Sequence, residues 1–289
     1  GSDARNEMFP DYKANRDETP EAIKIAIPFI QKILEAMHIP IMVKEGYEAD
    51  DVIGTLAKKA EKEGYKTYMV TPDKDFAQLV SENIFMYRPV FGGGYETWGI
   101  PEIQAKFEVE DPLQVIDFLG MMGDSSDNIP GLPGVGEKTA KKFLKAYGSM
   151  EGLLAHTHEL KGKMKEKVEG AKELGLLSKE LATIMLDVPV DFNEKDFEMS
   201  HPDVQAVGEI FEELEFRRLT DNFLKTFSPE AKAESAKPKV AGESQSPTPT
   251  KKKTASSAGA GQFSLFGGDS EPAEEVSITS SRHTIKDTE

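Results

Sequence analysis

The chain has 289 residues, with 35 basic and 51 acidic side chains, a formal charge of −16 and no cysteine. That size supports one large domain or two smaller ones, and the absence of cysteine excludes disulfides, thiolate chemistry and Cys-ligated zinc or iron–sulfur clusters. No run of about 18 apolar residues is present and the N-terminus has no apolar signal core, which excludes a membrane span and a visible secretory address.

In chain order, Thr19-Pro20-Glu21 reads as an N-cap, a first-turn proline and an acidic first turn. Ile23, Ile27, Ile30, Leu34 and Met37 then mark an amphipathic helix, with a kink expected at Pro28. Ile39–Val43 reads as a short buried strand, and 50–62 as a helix ending near Gly64. Residues 66–71 form a second predicted strand, 74–80 a short helix and Ile84–Pro89 a third strand. Alternating strands and helices predict an α/β core with a mostly parallel sheet flanked by helices. From Pro112 to Val188 the pattern is helical. The expected domains are therefore 1–111 and 112–227. Composition changes at Ser228: the last 62 residues carry two aromatics and a net charge of −1, the signature of a disordered tail or interdomain linker. The folded body accordingly holds −15 of the charge.

Three acidic clusters punctuate the body: Glu48-Ala-Asp50-Asp51, Asp73-Lys74-Asp75 and Asp124-Ser-Ser-Asp127. The first two follow predicted strands, at the edge where open α/β sheets bind ligands. Each alone reads as ordinary helix-capping acids. Seven carboxylates at corresponding places repel one another, and divalent metal is the usual compensation. Oxygen-only ligands suit two Mg²⁺ or Mn²⁺ ions, which can activate water and stabilise a leaving oxygen in phosphodiester cleavage.

The stretch 129–140, Ile-Pro-Gly-Leu-Pro-Gly-Val-Gly-Glu-Lys-Thr-Ala, is the most specific text in the chain. Gly134 and Gly136 allow a tight turn with exposed amides before a helix carrying Lys138, Thr139, Lys141 and Lys142, a combination that binds phosphate backbone without reading bases. Glu137 occupies the lysine position of a Walker loop, which disfavours a nucleotide-triphosphate site.

Together, 48–54, 71–76 and 123–140 resemble the 5′-nuclease domain of bacterial DNA polymerase I, in the flap-endonuclease superfamily. The resemblance runs from about Arg5 to Phe227. It implies a PIN-like core joined to a helix–three-turn–helix module that grips duplex DNA, often with bound K⁺. It also implies 5′→3′ exonuclease and 5′-flap endonuclease activity in replication and repair, in a cytoplasmic, nucleoid-associated bacterial protein. By position, Glu48, Asp50, Asp51, Asp73, Asp75, Asp124 and Asp127 match the metal-binding carboxylates. Tyr12–Arg16 resembles the arch segment, so Lys13 and Arg16 would contact phosphate near the scissile bond, and Arg5 matches a basic position for DNA.

The chain departs from the family at its front, where a strand and two metal-binding aspartates are expected. The expectation is an N-terminally truncated fragment with impaired activity, in which the pocket of Asp73, Asp75, Asp124 and Asp127 survives better. A DNA-binding fragment without catalysis and a PIN-like ribonuclease are the alternatives. In the tail, Gln262-Phe-Ser-Leu265-Phe266 resembles the bacterial sliding-clamp pentapeptide. The expected partners are thus flap, nicked or RNA-primed duplex, the parent chain's polymerase domains, and the clamp through Gln262, Leu265 and Phe266.

Overall fold

The computed structural model describes residues 2–228. The tail and its Gln262–Phe266 motif lie outside the described residues.

Helix α1 (Asp3–Met8) starts at Ser2, whose Oγ accepts from the Arg5 amide. Helix α2 (Glu21–Ala36) has Pro20, not Thr19, at its N-cap, and no side chain caps it. Its apolar face divides. Ile33, Ala36 and Met37 pack with Val207, Phe211 and Phe223 of the C-terminal helices α10 (Val204–Glu213) and α11 (Arg217–Phe227). Ile23, Ile27 and Ile30 remain exposed.

The expected strand over Ile39–Val43 does not form. Ile39, Ile41, Met42 and Val43 are exposed, and none of the sheet's strands pairs with this segment. A strand needs a neighbour to satisfy its backbone groups, so apolar character alone leaves this segment irregular.

Helix α3 (Ala49–Lys62) follows, then β1 (Thr67–Val70), a 3₁₀ turn at Lys74–Leu79, β2 (Ile84–Pro89) and β3 (Tyr95–Trp98). The sheet runs β1-β2-β3, with β1 parallel and β3 antiparallel to β2. β3 escaped the sequence reading. Gly92, Gly93 and Gly94 all take positive φ and turn the chain back, pairing Tyr95 with Pro89.

Helix α4 (Ile100–Phe107) leads into the helical half: α5 (Gln114–Met122), α6 (Glu137–Tyr147), α7 (Met150–Ala155), α8 (Gly162–Gly170) and α9 (Lys172–Ala182). α5 and α9 cross closely because Gly120 has no side chain; a Cβ there would lie 2.7 Å from the Lys179 Cα. One apolar core joins the two halves, running from Met69, Phe76, Ile84 and Met86 to Phe118, Leu119, Leu144 and Leu153. This shared core presents the α5–α6 connection to the carboxyl end of β1.

Candidate active site

The loop between α5 and α6 is built by backbone constraint. Gly123 and Gly131 both take positive φ and touch; a Cβ on Gly131 would lie 2.5 Å from the Gly123 nitrogen. An antiparallel bridge between Asp124 and Ile129 closes the loop. Ser178 of α9 pins its far side, its Oγ accepting from the Gly131 amide (3.0 Å) and donating to the Leu174 carbonyl. Asp124 and Asp127 are held on this loop.

The segment after α1 is stapled to the same loop. The Lys13 amide donates to the Asp127 carbonyl (2.9 Å), Asn15 Nδ2 to the Ser125 carbonyl (2.6 Å) and Asn128 Nδ2 back to the Asp11 carbonyl (2.6 Å). Lys13 takes a left-handed φ of 57° to make the turn. Its Nζ then reaches both oxygens of Glu48 at 2.7 Å and Asp127 at 3.5 Å. Arg16 Nη2 lies 2.5 Å from Asp127 Oδ1. Tyr12, unassigned from sequence, donates to Glu48 (3.1 Å) and lies 3.4 Å from Asp127. Burial and those two carboxylates push its phenol well above the ordinary value, so it stays protonated.

A second acidic group lies around the 3₁₀ turn. Asp73 caps it, accepting from the Asp75 amide at 3.1 Å. Lys74 donates to Asp124 Oδ2, and its Nζ lies 3.8 Å from Asp75 Oδ1. Burial works against the Asp124 charge, but the Lys74 hydrogen bond and the Ser126 amide more than offset it, so its carboxyl is lowered. Asp75 differs. Burial, then the charge of Asp73, pushes it up to about 7 despite Lys74, with Asp124 and Asp127 adding to the rise. Its Oδ1 is buried without a hydrogen-bond partner. Asp50 is raised as well, by burial first and then by Asp73 and Glu48.

Two expectations are corrected at α1 and α3. Arg5 is only 4 % exposed and does not reach a DNA surface. Its Nη1 and Nη2 bind the two oxygens of Asp51 at 2.8 Å, while Nε and Nη2 donate to the Leu181 and Thr183 carbonyls. Asp51, fully buried, also accepts from the Glu48 and Met185 amides. Its oxygens are thus committed to protein donors, and it is a structural anion, not a metal ligand. Burial would raise its carboxyl, yet the Arg5 hydrogen bonds and the two amides hold it below the ordinary range.

The hairpin forms as expected: Gly134 has φ 82°, and Gly136 is the N-cap of α6. The Glu137 and Lys138 amides of the first turn precede any intrahelical acceptor. Gly134, Gly136 and Lys138 are exposed, Thr139 is half-buried and Lys142 is exposed. Lys141 is diverted from phosphate. It pairs with Glu137 (2.9 Å) and Glu108 (3.5 Å) and donates to the Lys106 carbonyl.

The remaining carboxylates do not gather into one cluster. Among the described residues, no three His, Cys, Asp or Glu side chains are placed to hold a metal ion. Ammonium groups stand between them instead: Lys13 at Glu48 and Asp127, Lys74 at Asp75 and Asp124. The orphaned oxygen of Asp75 and an all-oxygen donor set fit a hard divalent cation.

The comparisons match both halves. The family described as 5′-3′ exonuclease, N-terminal resolvase-like domain, matches residues 1–108. The 5′-3′ exonuclease C-terminal SAM fold matches 110–205. The 5′-3′ exonuclease of Aquifex aeolicus (strain VF5) is 37 % identical over 223 residues, covering 77 % of this chain and 75 % of that protein. The chain belongs to the 5′-3′ exonuclease family. Another family relative, the DNA polymerase I of Bacillus subtilis (strain 168), is 43 % identical over 219 residues. That match covers 75 % of this chain but 25 % of the polymerase, so the chain spans about a quarter of the length of such relatives. In fold, this nuclease-family chain is similar to T5 5′-exonuclease with zinc bound (TM-score 0.54, 20 % identity, 78 % and 80 % of the two chains). It is also similar to the catalytic core of Rad2 with DNA substrate (TM-score 0.52, 16 % identity, 77 % and 75 %). These likenesses support an α/β core with a small sheet and a helical second half. No described helix is long and apolar enough to cross a membrane.

Proposed function

We propose that the chain is the nuclease part of a DNA-processing protein, a divalent-metal-dependent 5′→3′ exonuclease and 5′-flap endonuclease. The division of labour follows the chain: 1–111 carries the chemistry and 112–227 the duplex grip. The observation that carries the reading is the stapling of the Tyr12–Arg16 segment onto the Asp124–Asp127 loop, which sets two cations beside the acids most suited to metal. Asp73, Asp75, Asp124 and Asp127 would hold one Mg²⁺ or Mn²⁺, with Glu48 and Asp50 serving a second. The bound metal supplies water activation and stabilisation of the leaving oxygen. Lys13 and Arg16 neutralise Glu48 and Asp127 in the metal-free protein. Once those carboxylates have another cation, both side chains are free to hold the phosphate beside the scissile bond. Tyr12 keeps its proton and orients Glu48. Gly134, Gly136, Lys138, Thr139 and Lys142 hold the duplex backbone.

The test is cleavage of a labelled 5′-flap duplex with Mg²⁺, set against EDTA and against Asp75→Asn and Asp124→Asn. Cleavage that requires Mg²⁺ and both carboxylates supports the reading; cleavage persisting in EDTA sinks it. The dispersed carboxylates favour a second reading, a DNA-binding fragment impaired in catalysis. Under that reading the duplex is shifted but never cut at any Mg²⁺ concentration.

A further inference from the structure

Helix α8 brings a cation to the glycine hairpin from 33 residues downstream. A Cβ on Gly134 would lie 2.9 Å from Lys167 Nζ and 3.6 Å from its Cδ, so the lysine lies over the turn where Gly134 leaves the backbone bare. Among the described residues, Lys167 has no carboxylate within ion-pair distance. Its neighbours explain why. Positions three and four residues away on α8 and just beyond are Lys163, Met164, Gly170 and Ala171, none of them acidic. Lys165, by contrast, is paired with Glu169 at 3.9 Å, and Lys141 on the hairpin helix is paired twice. The helix carrying Lys167 is anchored, since Val168 is fully buried and Thr157 Oγ1 donates to Glu169 at 3.0 Å.

We propose that Lys167 is a duplex-backbone contact, binding a phosphate together with the Gly134–Gly136 turn. The inference rests on the reading of that turn as the duplex grip. An unpaired ammonium over a bare backbone turn supplies the charge, while the turn supplies amide donors and room for close approach. Lysine is suited to this role as a flexible point charge that reads no base. The contact extends the grip from α6 onto α8, so the bound strand would cross both helices. It also replaces Lys141, whose charge is spent on Glu137 and Glu108.

The experiment is fluorescence anisotropy of a nicked duplex in EDTA, titrated with protein at salt concentrations between about 50 and 200 mM. Wild type, Lys167→Ala, Lys167→Arg and the control Lys165→Ala are compared, with circular dichroism checking that each is folded. Removing one phosphate contact should reduce the log Kd versus log salt slope by about 0.9. The affinity loss at 50 mM should then exceed that at 200 mM by roughly threefold. Lys167→Arg should restore the slope, Lys165→Ala should leave it unchanged, and duplexes of different sequence should be affected equally. Wild-type binding with an unaltered slope in Lys167→Ala overturns the proposal while leaving the hairpin reading intact. Failure of the wild type to bind duplex overturns both.

Discussion

Replacing Asp51 with alanine should unfold the protein far more readily, and should do so through Arg5. The Arg5 and Asp51 side chains are 5 % and 0 % exposed, and two hydrogen bonds of 2.8 Å join them. Truncating Asp51 strands a buried guanidinium with only the Leu181 and Thr183 carbonyls, and removes the acceptor of the Glu48 and Met185 amides. Breaking a buried pair from one side costs about 3–5 kcal/mol, because the remaining charge is uncompensated. For a body of this size that corresponds to a fall in Tm of roughly 6–20 °C. Urea unfolding with and without chelator measures the cost directly. A double replacement, Arg5→Met with Asp51→Leu, should recover most of it, giving a coupling energy that neither single change can show. The Asp51 carboxyl is lowered in the folded state, so its contribution is full above the unfolded carboxylate value near 3.9 and disappears as pH falls through the folded value. The penalty of Asp51→Ala should therefore shrink in acid. An Asp51→Ala variant within about 1 kcal/mol of wild type that has lost metal binding would refute this reasoning and make Asp51 a ligand.

Asp75→Asn in chelator should stabilise the protein at pH 8, on the order of 1–3 kcal/mol, and hardly at all at pH 4. The folded carboxyl is raised to about 7, so its ionisation penalty grows from the unfolded value upward and levels off above 7; an equal gain at both pH values in urea unfolding would contradict this. Gly131→Ala should lower flap cleavage sharply at a stability cost of about 1–3 kcal/mol, because a positive φ and a 2.5 Å approach to Gly123 force open the loop holding Asp124 and Asp127. Parallel kinetics and melting measure both. Gly120→Ala should cost about 1–3 kcal/mol by forcing α5 and α9 apart, seen as a lower urea midpoint. Lys13→Ala should reduce kcat for flap cleavage by about 10²-fold with the protein still folded, measured under single-turnover conditions.

Much of the site was legible because its chemistry is local in sequence. The acidic clusters, the Gly134–Gly136 turn and the stretch 123–140 announce themselves by residue type and spacing, and both halves match the same nuclease family. The segments they predict largely form, since caps, glycines and periodicity act over a few residues: α3 ends at Lys62 and β2 spans Ile84–Pro89. Strand pairing is the exception. Ile39–Val43 has strand composition but no ladder partner, and β3 pairs through a glycine turn that no periodicity reveals.

What the sequence by itself determined is which residue types are available and in what local frame: seven carboxylates, a bare-amide hairpin, cations at Lys13 and Arg16. The tertiary structure decided their employment. Arg5 and Asp51 lie 46 residues apart and are consumed by each other; Lys141 is taken by Glu108; Lys167 is left free and set over Gly134. Whether a charge is a tool or a strut depends on its partner and its burial. Both come from contacts between distant segments, through Coulomb and desolvation terms that one-dimensional spacing does not contain.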